Sequence, residues 1–327
     1  MNRRAAHTLR MAAGTLAAIA TLAAPAALGP LASDAGAAVT LPTVYTGKAA
    51  DVSYGSATLL GTVTPNGGDT SYYFQYGLTT GYGGQTAIAD AGSGTGKVNV
   101  SLPITGLQPL SVYHYRLVAV NSAGPVLGAD KTLLTKRVPL SLQILSSPNP
   151  VVFGGTVTVQ GTLSGTGNGN REVILQESQF PFTVGFQDAP LNPVLTTATG
   201  SFTFTVPNVT LATQLRVVAT NSPPVISTVA TEGVSVRVNA HVKSTGRRHY
   251  ARIYGTVTPA ENGMQVGFLR ISHGRGVLAG GTVLGPRSLT SSSFSRVVPV
   301  KAGVYRVLVR ITNGAQISTY SQPLVIR

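Results

Sequence analysis

The chain contains neither cysteine nor tryptophan among its 327 residues. Without cysteine it can form no disulfide, use no catalytic thiolate, carry no cysteine-linked lipid anchor and build no cysteine-based zinc site. Without tryptophan it lacks the flat side chain on which sugar-binding surfaces most often depend. Carbohydrate binding therefore stays open only through tyrosine, of which there are 12 residues.

Charged residues are also scarce, at 10% of the chain against about 25% in an average globular protein. The surface must consist largely of Thr, Ser, Asn and Gln, which is typical of strands and unlike exposed helices. Glycine (38 residues) and proline (20 residues) are abundant, as turns between short strands require. The length exceeds what a single core usually supports, about 250–300 residues, so we expect several domains.

The N-terminus has the three regions of a secretory signal. A basic start with Arg3 and Arg4 precedes an apolar run over 11–28, and Ala35-Gly36-Ala37 supplies small residues for cleavage. We therefore predict a signal peptide over 1–38 and a location outside the cell or in the cell envelope. An uncleaved membrane anchor is the alternative. No later run reaches the roughly 18–20 apolar residues of a membrane span, so no transmembrane segment is expected in the mature chain.

Two strand patterns each recur three times along the chain. The first ends in Gly-Thr-Val or Gly-Thr-Leu and occupies 57–63, 157–163 and 251–257. The second carries an arginine on its polar face and occupies 113–119, 213–219 and 303–309. Alternation with period two indicates strands, and a spacing of about 90–100 residues matches one immunoglobulin-type sandwich. We predict an all-β chain of three tandem immunoglobulin or fibronectin type III-like β-sandwiches, over 45–136, 137–239 and 240–327.

The first of these domains resembles a fibronectin type III domain over about 45–135. Residues Leu107 to Tyr113 match the Leu-x-Pro-x-x-x-Tyr element of that family, and Ser71 to Gly77 is similar to its third strand. The resemblance implies a tyrosine corner, in which the Tyr113 hydroxyl bonds to nearby backbone. The match departs from the family at Gly61, near the usual core tryptophan, and we expect Tyr72, Phe74 and Tyr76 to fill that space. We expect the second and third domains, which do not contain this element, to lack the tyrosine corner, and they resemble bacterial immunoglobulin-like domains.

Positive charge is concentrated in the last predicted domain. Residues 240–327 hold twelve Lys or Arg and one acid, Glu261, whereas 39–239 hold nine bases and eight acids. Ten of the twelve bases are arginine, which binds phosphate and carboxylate in bidentate fashion. We expect an anionic cell-wall polymer or glycan as partner, and an exported protein is a poor fit to nucleic acid. The candidate anion-binding residues are Arg247, Arg248, Arg252, Arg270 and Arg275. An arginine-rich surface that serves only solubility is the alternative.

No pattern in the sequence indicates catalysis, a metal site or a cofactor. The acids are scattered, no Asp-rich calcium loop occurs, and His114 falls on the polar face of its strand. We therefore expect a secreted or cell-surface structural or adhesive protein without enzymatic activity. Two alternatives remain open: a carbohydrate-binding accessory protein, and a secreted hydrolase whose paired carboxylates meet only in space. The oligomeric state does not follow from the sequence.

Overall fold

A computed structural model describes residues 39–190 and 193–327, and within these ranges the chain forms strands and turns and contains no helix. The predicted signal peptide at 1–38 lies outside the described residues. The strands fall into three successive groups, and each group encloses a separate hydrophobic core. The prediction of an all-β chain of sandwiches is confirmed.

The first sandwich packs a three-stranded sheet, in the order β1-β2-β6, against a larger sheet with the order β4-β3-β7-β8. In the larger sheet β5 also pairs with β3, and β9 pairs with β7. The strands are β1 (Thr43–Thr46), β2 (Ser56–Thr64), β3 (Thr70–Gly77), β4 (Gly84–Gln85), β5 (Ala89–Gly92), β6 (Val98–Thr105), β7 (Val112–Asn121), β8 (Gly124–Leu127) and β9 (Lys131–Leu134).

The second sandwich repeats this arrangement, with sheets ordered β10-β12-β16 and β14-β13-β17-β18. Strand β15 also pairs with β13, β19 with β17, and β11 runs parallel to β20. The strands are β10 (Ser141–Ser147), β11 (Val151–Val152), β12 (Gly155–Ser164), β13 (Glu172–Gln179), β14 (Gln187–Asp188), β15 (Val194–Leu195), β16 (Ser201–Val209), β17 (Thr213–Ala219), β18 (Val225–Ile226), β19 (Ala230–Glu232) and β20 (Val234–Ser235).

The third sandwich has sheets ordered β21-β22-β26-β25 and β24-β23-β27-β28, and β29 also pairs with β27. Its core includes the buried rings of Phe268, Phe294 and Tyr305. The strands are β21 (Arg237–Ser244), β22 (Tyr250–Thr258), β23 (Gln265–Ser272), β24 (Arg275–Val283), β25 (Gly285–Pro286), β26 (Ser292–Pro299), β27 (Gly303–Arg310), β28 (Thr319–Tyr320) and β29 (Leu324–Ile326).

The two recurring sequence patterns are the central strands of the two facing sheets. The first pattern forms β2, β12 and β22, and the second forms β7, β17 and β27. Both alternate between buried and exposed side chains, because successive residues of a strand point to opposite faces. The repeated apolar positions are therefore those whose side chains face the core of each sandwich.

The glycine of the first pattern makes room for an aromatic ring from the next strand. In the third sandwich a methyl group on Gly255 would lie 2.7 Å from the ring of Phe294 and would also meet the carbonyl oxygen of Asn239. In the second, a methyl group on Gly161 would collide with the ring of Phe202. Both rings are buried, so the glycine is retained because any side chain there would overpack the core.

Gly61 of the first sandwich departs from this arrangement in its neighbours. A methyl group there would lie 2.7 Å from Leu117 Cδ2 and 3.6 Å from the ring of Phe74. Phe74 is fully buried, Tyr72 is 8% exposed and Tyr76 packs against the same core. The prediction that these aromatic side chains occupy the space of the missing tryptophan is supported most directly by Phe74.

Tyrosine hydroxyls bond to nearby backbone in two of the sandwiches. The Tyr113 hydroxyl accepts from the backbone N–H of Gln108 at 2.9 Å, as the fibronectin type III resemblance implies. The Tyr305 hydroxyl accepts from the N–H of Lys301 and donates to its carbonyl oxygen, both at 3.0 Å. The expectation that the third sandwich lacks a tyrosine corner is therefore wrong. The sequence element differs, but the bond from ring to upstream backbone is present.

The joints between consecutive sandwiches differ. Between the first and second, Lys136 N–H donates to the Ser53 carbonyl in the first sandwich, and Val138 N–H donates to the Thr166 hydroxyl in the second. The linker between these two bonded residues is therefore the single residue Arg137. Between the second and third, the loop after β27 docks on the preceding sandwich. There Ala212 N–H donates to the carbonyl of Ala315 at 2.8 Å, and the Gln316 side chain donates to the carbonyl of Thr210 at 3.0 Å.

Candidate functional site

Among the described residues, no carboxylate lies within ion-pair distance of a Lys or Arg of the third sandwich. In the described part of the chain, the acidic and basic side chains that come close enough for an ion pair are Asp130 and His114 in the first sandwich, and the pair is ionic only when His114 is protonated. The acid of the third sandwich, Glu261, is 7% exposed and accepts hydrogen bonds from the Asn313 amide. Its burial raises its pKa, although the bond from Asn313 partly opposes this shift. The positive charges of the twelve Lys and Arg side chains are therefore not neutralised by a carboxylate within this sandwich.

Four of the five predicted arginines lie at one end of the third sandwich. Arg247 and Arg248 lie in the turn between β21 and β22, and Arg275 begins β24 directly after the turn from β23. The β21–β22 turn reaches the segment between β26 and β27 through a bond from Val300 N–H to the carbonyl of His249. That segment also receives the Arg270 guanidinium, which donates to the carbonyl of Ala302 at 3.1 Å. We call this end, defined by Arg247, Arg248, Arg270, Arg275 and Lys301, the basic end.

The members of the basic end are not equally available. Arg247 stacks on the ring of Tyr250 at 4.0 Å, and Arg248 and Arg275 are exposed. Arg270 packs against Gly303, and its buried Nε has no hydrogen-bond partner among the described residues. Arg247, Arg248 and Arg275 are therefore the side chains that can reach an outside anion, while Arg270 contributes mainly charge.

Arg252 is not part of this end: it lies two residues along β22 from Tyr250, on the outer face of the sheet β21-β22-β26. It stands directly opposite Lys243 on β21, and its guanidinium reaches the Ser295 hydroxyl on β26 at 3.5 Å. On the next row His241 lies opposite Tyr254, with ring centroids 5.6 Å apart. Together these rows form the floor of an open groove of about 1600 Å³, which Arg247 and Arg287 also line. We call it the β22 groove.

The sequence missed Lys243, His241, Tyr254 and Arg287, which only the groove brings together with Arg252. The sequence did contain a signal for Arg252 and Tyr254 in the repeated pattern that ends in Gly-Thr. The outward-facing positions of this pattern hold Thr and Leu in the first sandwich and Thr and Gln in the second, but Arg252 and Tyr254 in the third.

The basic end is the end of the third sandwich that faces away from the second. Strand β22 begins at Tyr250 beside the basic end and finishes at Thr258, three residues before Glu261. At about 3.3 Å per residue this strand spans roughly 27 Å. Asn313 links Glu261 to Gln316, which contacts the second sandwich. The basic end is thus separated from the joint by the length of the sandwich.

The arginine of the second repeat has a structural role in the first two sandwiches. Arg116 Nε donates to the Gln75 side chain at 2.8 Å, and Arg216 Nε donates to the Gln176 side chain at the same distance. Arg116 also stacks on Tyr82 at 4.6 Å, and Arg216 on Phe186 at 4.1 Å. In the third sandwich Arg306 stands opposite Leu269, which offers no acceptor. At this position the third sandwich therefore has no glutamine opposite its arginine.

His114, Asp130 and Tyr82 form a small polar cluster on the first sandwich, although they lie far apart in the sequence. His114 Nδ1 and Asp130 Oδ2 are 2.8 Å apart, and Asp130 also accepts from the Tyr82 hydroxyl at 2.9 Å. Partial burial alone would raise the pKa of Asp130, but the bonds from His114 and Tyr82, with the charges of His114 and Arg116, lower it overall. Because His114 and Asp130 are 16 positions apart, only the pairing of β7 with β9 brings them together.

Two further features bear on function within the part of the chain that the structure describes. No group of three His, Asp or Glu side chains there is arranged to hold a metal ion. Nor does that part include a helix long and apolar enough to cross a bilayer.

Comparison with known proteins gives structural likenesses alone. No protein-family model matches the chain, and no curated protein matches it significantly. A tetra-tandem repeat from the extending region of a large adhesion protein is similar over 87% of this chain and 74% of its own, at 17% identity and a TM-score of 0.30. The first three fibronectin domains of chicken CNTN1 are similar over 86% and 97%, at 14% identity and a TM-score of 0.27. The sensor domain of the anti-sigma factor RsgI4 from Pseudobacteroides cellulosolvens is similar over 29% and 90%, at 19% identity and a TM-score of 0.21.

Proposed function

We propose that this chain is a non-enzymatic structural or adhesive protein of the cell surface or the extracellular space, with its third sandwich binding an anionic polymer of the envelope. We further propose that it is divided into three domains at 45–136, 137–239 and 240–327. The first two sandwiches act as a spacer. The third carries the contact surface.

The observation that carries this proposal is the unneutralised charge of the third sandwich. Its twelve cations face one acid, and that acid is buried next to the joint. A patch of this kind attracts polyanions from a distance and holds them by charge-assisted hydrogen bonds. Arg247, Arg248 and Arg275 supply those bonds, because they stand at the end that the second sandwich leaves free.

Retention of the full chain on anionic cell-wall material, measured over a range of salt concentrations, tests this proposal. We expect retention at low salt that weakens as salt rises. Substituting Arg247, Arg248 and Arg275 together with Ser should reduce it strongly. A matched control replaces the exposed Lys48, Lys97 and Lys136 of the first sandwich with Ser, which removes the same charge. Equal retention of the two triple variants would contradict a specific role for the basic end.

A further inference from the structure

We propose that the β22 groove binds an acidic polysaccharide, with Tyr254 and His241 contacting a sugar ring and Lys243 and Arg252 pairing with its carboxylates. This inference rests on the proposed function, because it also assigns polyanion binding to the third sandwich. It adds a second surface and a chemical class of ligand. Charge alone would accept any polyanion, whereas the groove combines charge with an aromatic surface.

The first argument is an unfavourable pair that the sheet retains. Lys243 and Arg252 are directly opposite each other on neighbouring antiparallel strands. Like charges in that position repel and destabilise a sheet. No carboxylate forms an ion pair with either side chain among the described residues. A bound carboxylate would turn this repulsion into two attractive contacts.

The second argument is the aromatic row beside the charged one. His241 and Tyr254 lie opposite each other on the next row, two residues before Lys243 on β21 and two after Arg252 on β22, with their rings tilted by 33°. Tyr254 is 38% exposed although it is a large apolar side chain. Rows on one face of a strand are separated by about 7 Å, roughly the width of one sugar ring. A pyranose over Tyr254 would therefore place its carboxylate near Arg252.

The third argument comes from the same positions in the second sandwich. Where β22 has Arg252 and Tyr254, β12 has Thr158 and Gln160, with Ser147 and Leu145 as their partners on β10. The concavity on that face of the second sandwich has a volume of about 400 Å³, and no charged side chain lines it. The fold therefore requires neither the arginine nor the tyrosine, and their presence is specific to the third sandwich.

The remaining lining of the groove suits a polar polymer. The row beyond Tyr254 offers Asn239, Thr256 and Ser293 on three adjacent strands. These side chains can exchange hydrogen bonds with sugar hydroxyls. Arg247 connects the groove to the basic end, so one long chain could occupy both surfaces.

The experiment measures binding of the full-length mature chain to three polymers: polygalacturonate, inorganic polyphosphate and neutral dextran. Two variants carry the residues that the second sandwich has at the same positions, Tyr254→Gln and Arg252→Thr, so the strand should tolerate both. Tyr320→Gln is the matched control, since Tyr320 is exposed on the other sheet.

The wild type should bind polygalacturonate and should not retain dextran. Tyr254→Gln should weaken polygalacturonate binding about tenfold, equivalent to about 1.4 kcal/mol, and leave polyphosphate binding unchanged. Arg252→Thr should weaken binding to both polyanions, and Tyr320→Gln should alter neither.

The groove proposal would be overturned if Tyr254→Gln bound polygalacturonate as tightly as the wild type. It would also be overturned if Tyr254→Gln lost affinity equally for polygalacturonate and polyphosphate. In either case the proposed function would survive if the triple variant of the basic end still lost binding. Failure of the wild type to bind either polyanion at low salt would overturn both proposals.

Discussion

The Asn313 side-chain amide lies 3.1 Å from each carboxylate oxygen of Glu261 and donates hydrogen bonds to them. The same amide is 2.9 Å from Gln316 Oε1, and Gln316 in turn donates to the carbonyl of Thr210 in the second sandwich. A buried acid is therefore connected through two amides to the joint between the second and third sandwiches. The protonation state of Glu261 and the conformational order of the joint should therefore depend on each other.

Acidification should stabilise this region. Burial raises the pKa of Glu261 and of Glu232, against smaller opposing bonds from Asn313 and Ser146. A carboxyl with a raised pKa in the fold binds its proton more tightly there than in the unfolded chain. Its stabilising contribution is complete below the unfolded pKa, near 4.5, and is lost as pH rises through the folded pKa.

We expect the difference in melting temperature between the wild type and a Glu232→Gln/Glu261→Gln variant to shrink as pH falls from 7 toward 5. The variant should be the more stable protein at pH 7, because it avoids two buried charges. Calorimetry at several pH values measures this. A difference that is constant with pH would contradict the linkage, and the Asp51→Asn/Asp69→Asn variant, with exposed acids, is the control.

Removing the Gln316 side chain should loosen the second joint without unfolding either neighbour. Gln316→Ala deletes the bond to Thr210 and one partner of Asn313. We expect faster amide exchange over 311–317 and a wider distribution of shapes in small-angle scattering. Gln265→Ala, an exposed change on β23 of the same sandwich, should alter neither. Unchanged exchange in Gln316→Ala would show that the backbone bonds from Ala212 N–H to the Ala315 carbonyl and from Ile317 N–H to the Val234 carbonyl hold the joint without it.

Tyr305→Phe should destabilise the third sandwich by about 1 kcal/mol, since a net hydrogen bond contributes about that amount. The hydroxyl bonds both the N–H and the carbonyl of Lys301, and the buried ring itself is kept by the substitution. In a domain of this size the melting transition should fall by about 4–8 °C. Tyr320→Phe, with an exposed ring, should have little effect. A smaller shift for Tyr305→Phe than for this control would contradict the tyrosine-corner interpretation.

Gly161→Ala should destabilise the second sandwich by about 1–3 kcal/mol through overpacking. The added methyl group would meet the ring of Phe202 and, at 2.5 Å, the carbonyl oxygen of Gln143. Denaturant unfolding followed by circular dichroism measures the loss. Gly96→Ala is the control, because nothing lies within 4 Å of a methyl group there. Comparable stability of the two variants would mean that the Gly-Thr repeat has another cause.

Much of the fold followed from local features of the sequence. Alternation with period two marks a strand wherever one face is buried, so the two repeats identified the central strands of all three sandwiches. The tyrosine corner at Tyr113 followed from a short element, whereas that at Tyr305 lacked the element and was missed. A hydroxyl bond to upstream backbone needs only a ring at the right position, which several sequences can provide.

The candidate site was predictable in its charge and not in its geometry. Composition located the excess of cations in 240–327, because a count of charges needs no coordinates. The folded chain is needed to see that Arg270 packs against Gly303 while Arg252 lies across from Lys243. Strand register sets such neighbours, and register depends on turn length and on which face is buried. Alternation and charge counts in the sequence therefore predict the sandwiches and the basic character of the third one, whereas the pairing of strands sets which of its side chains meet.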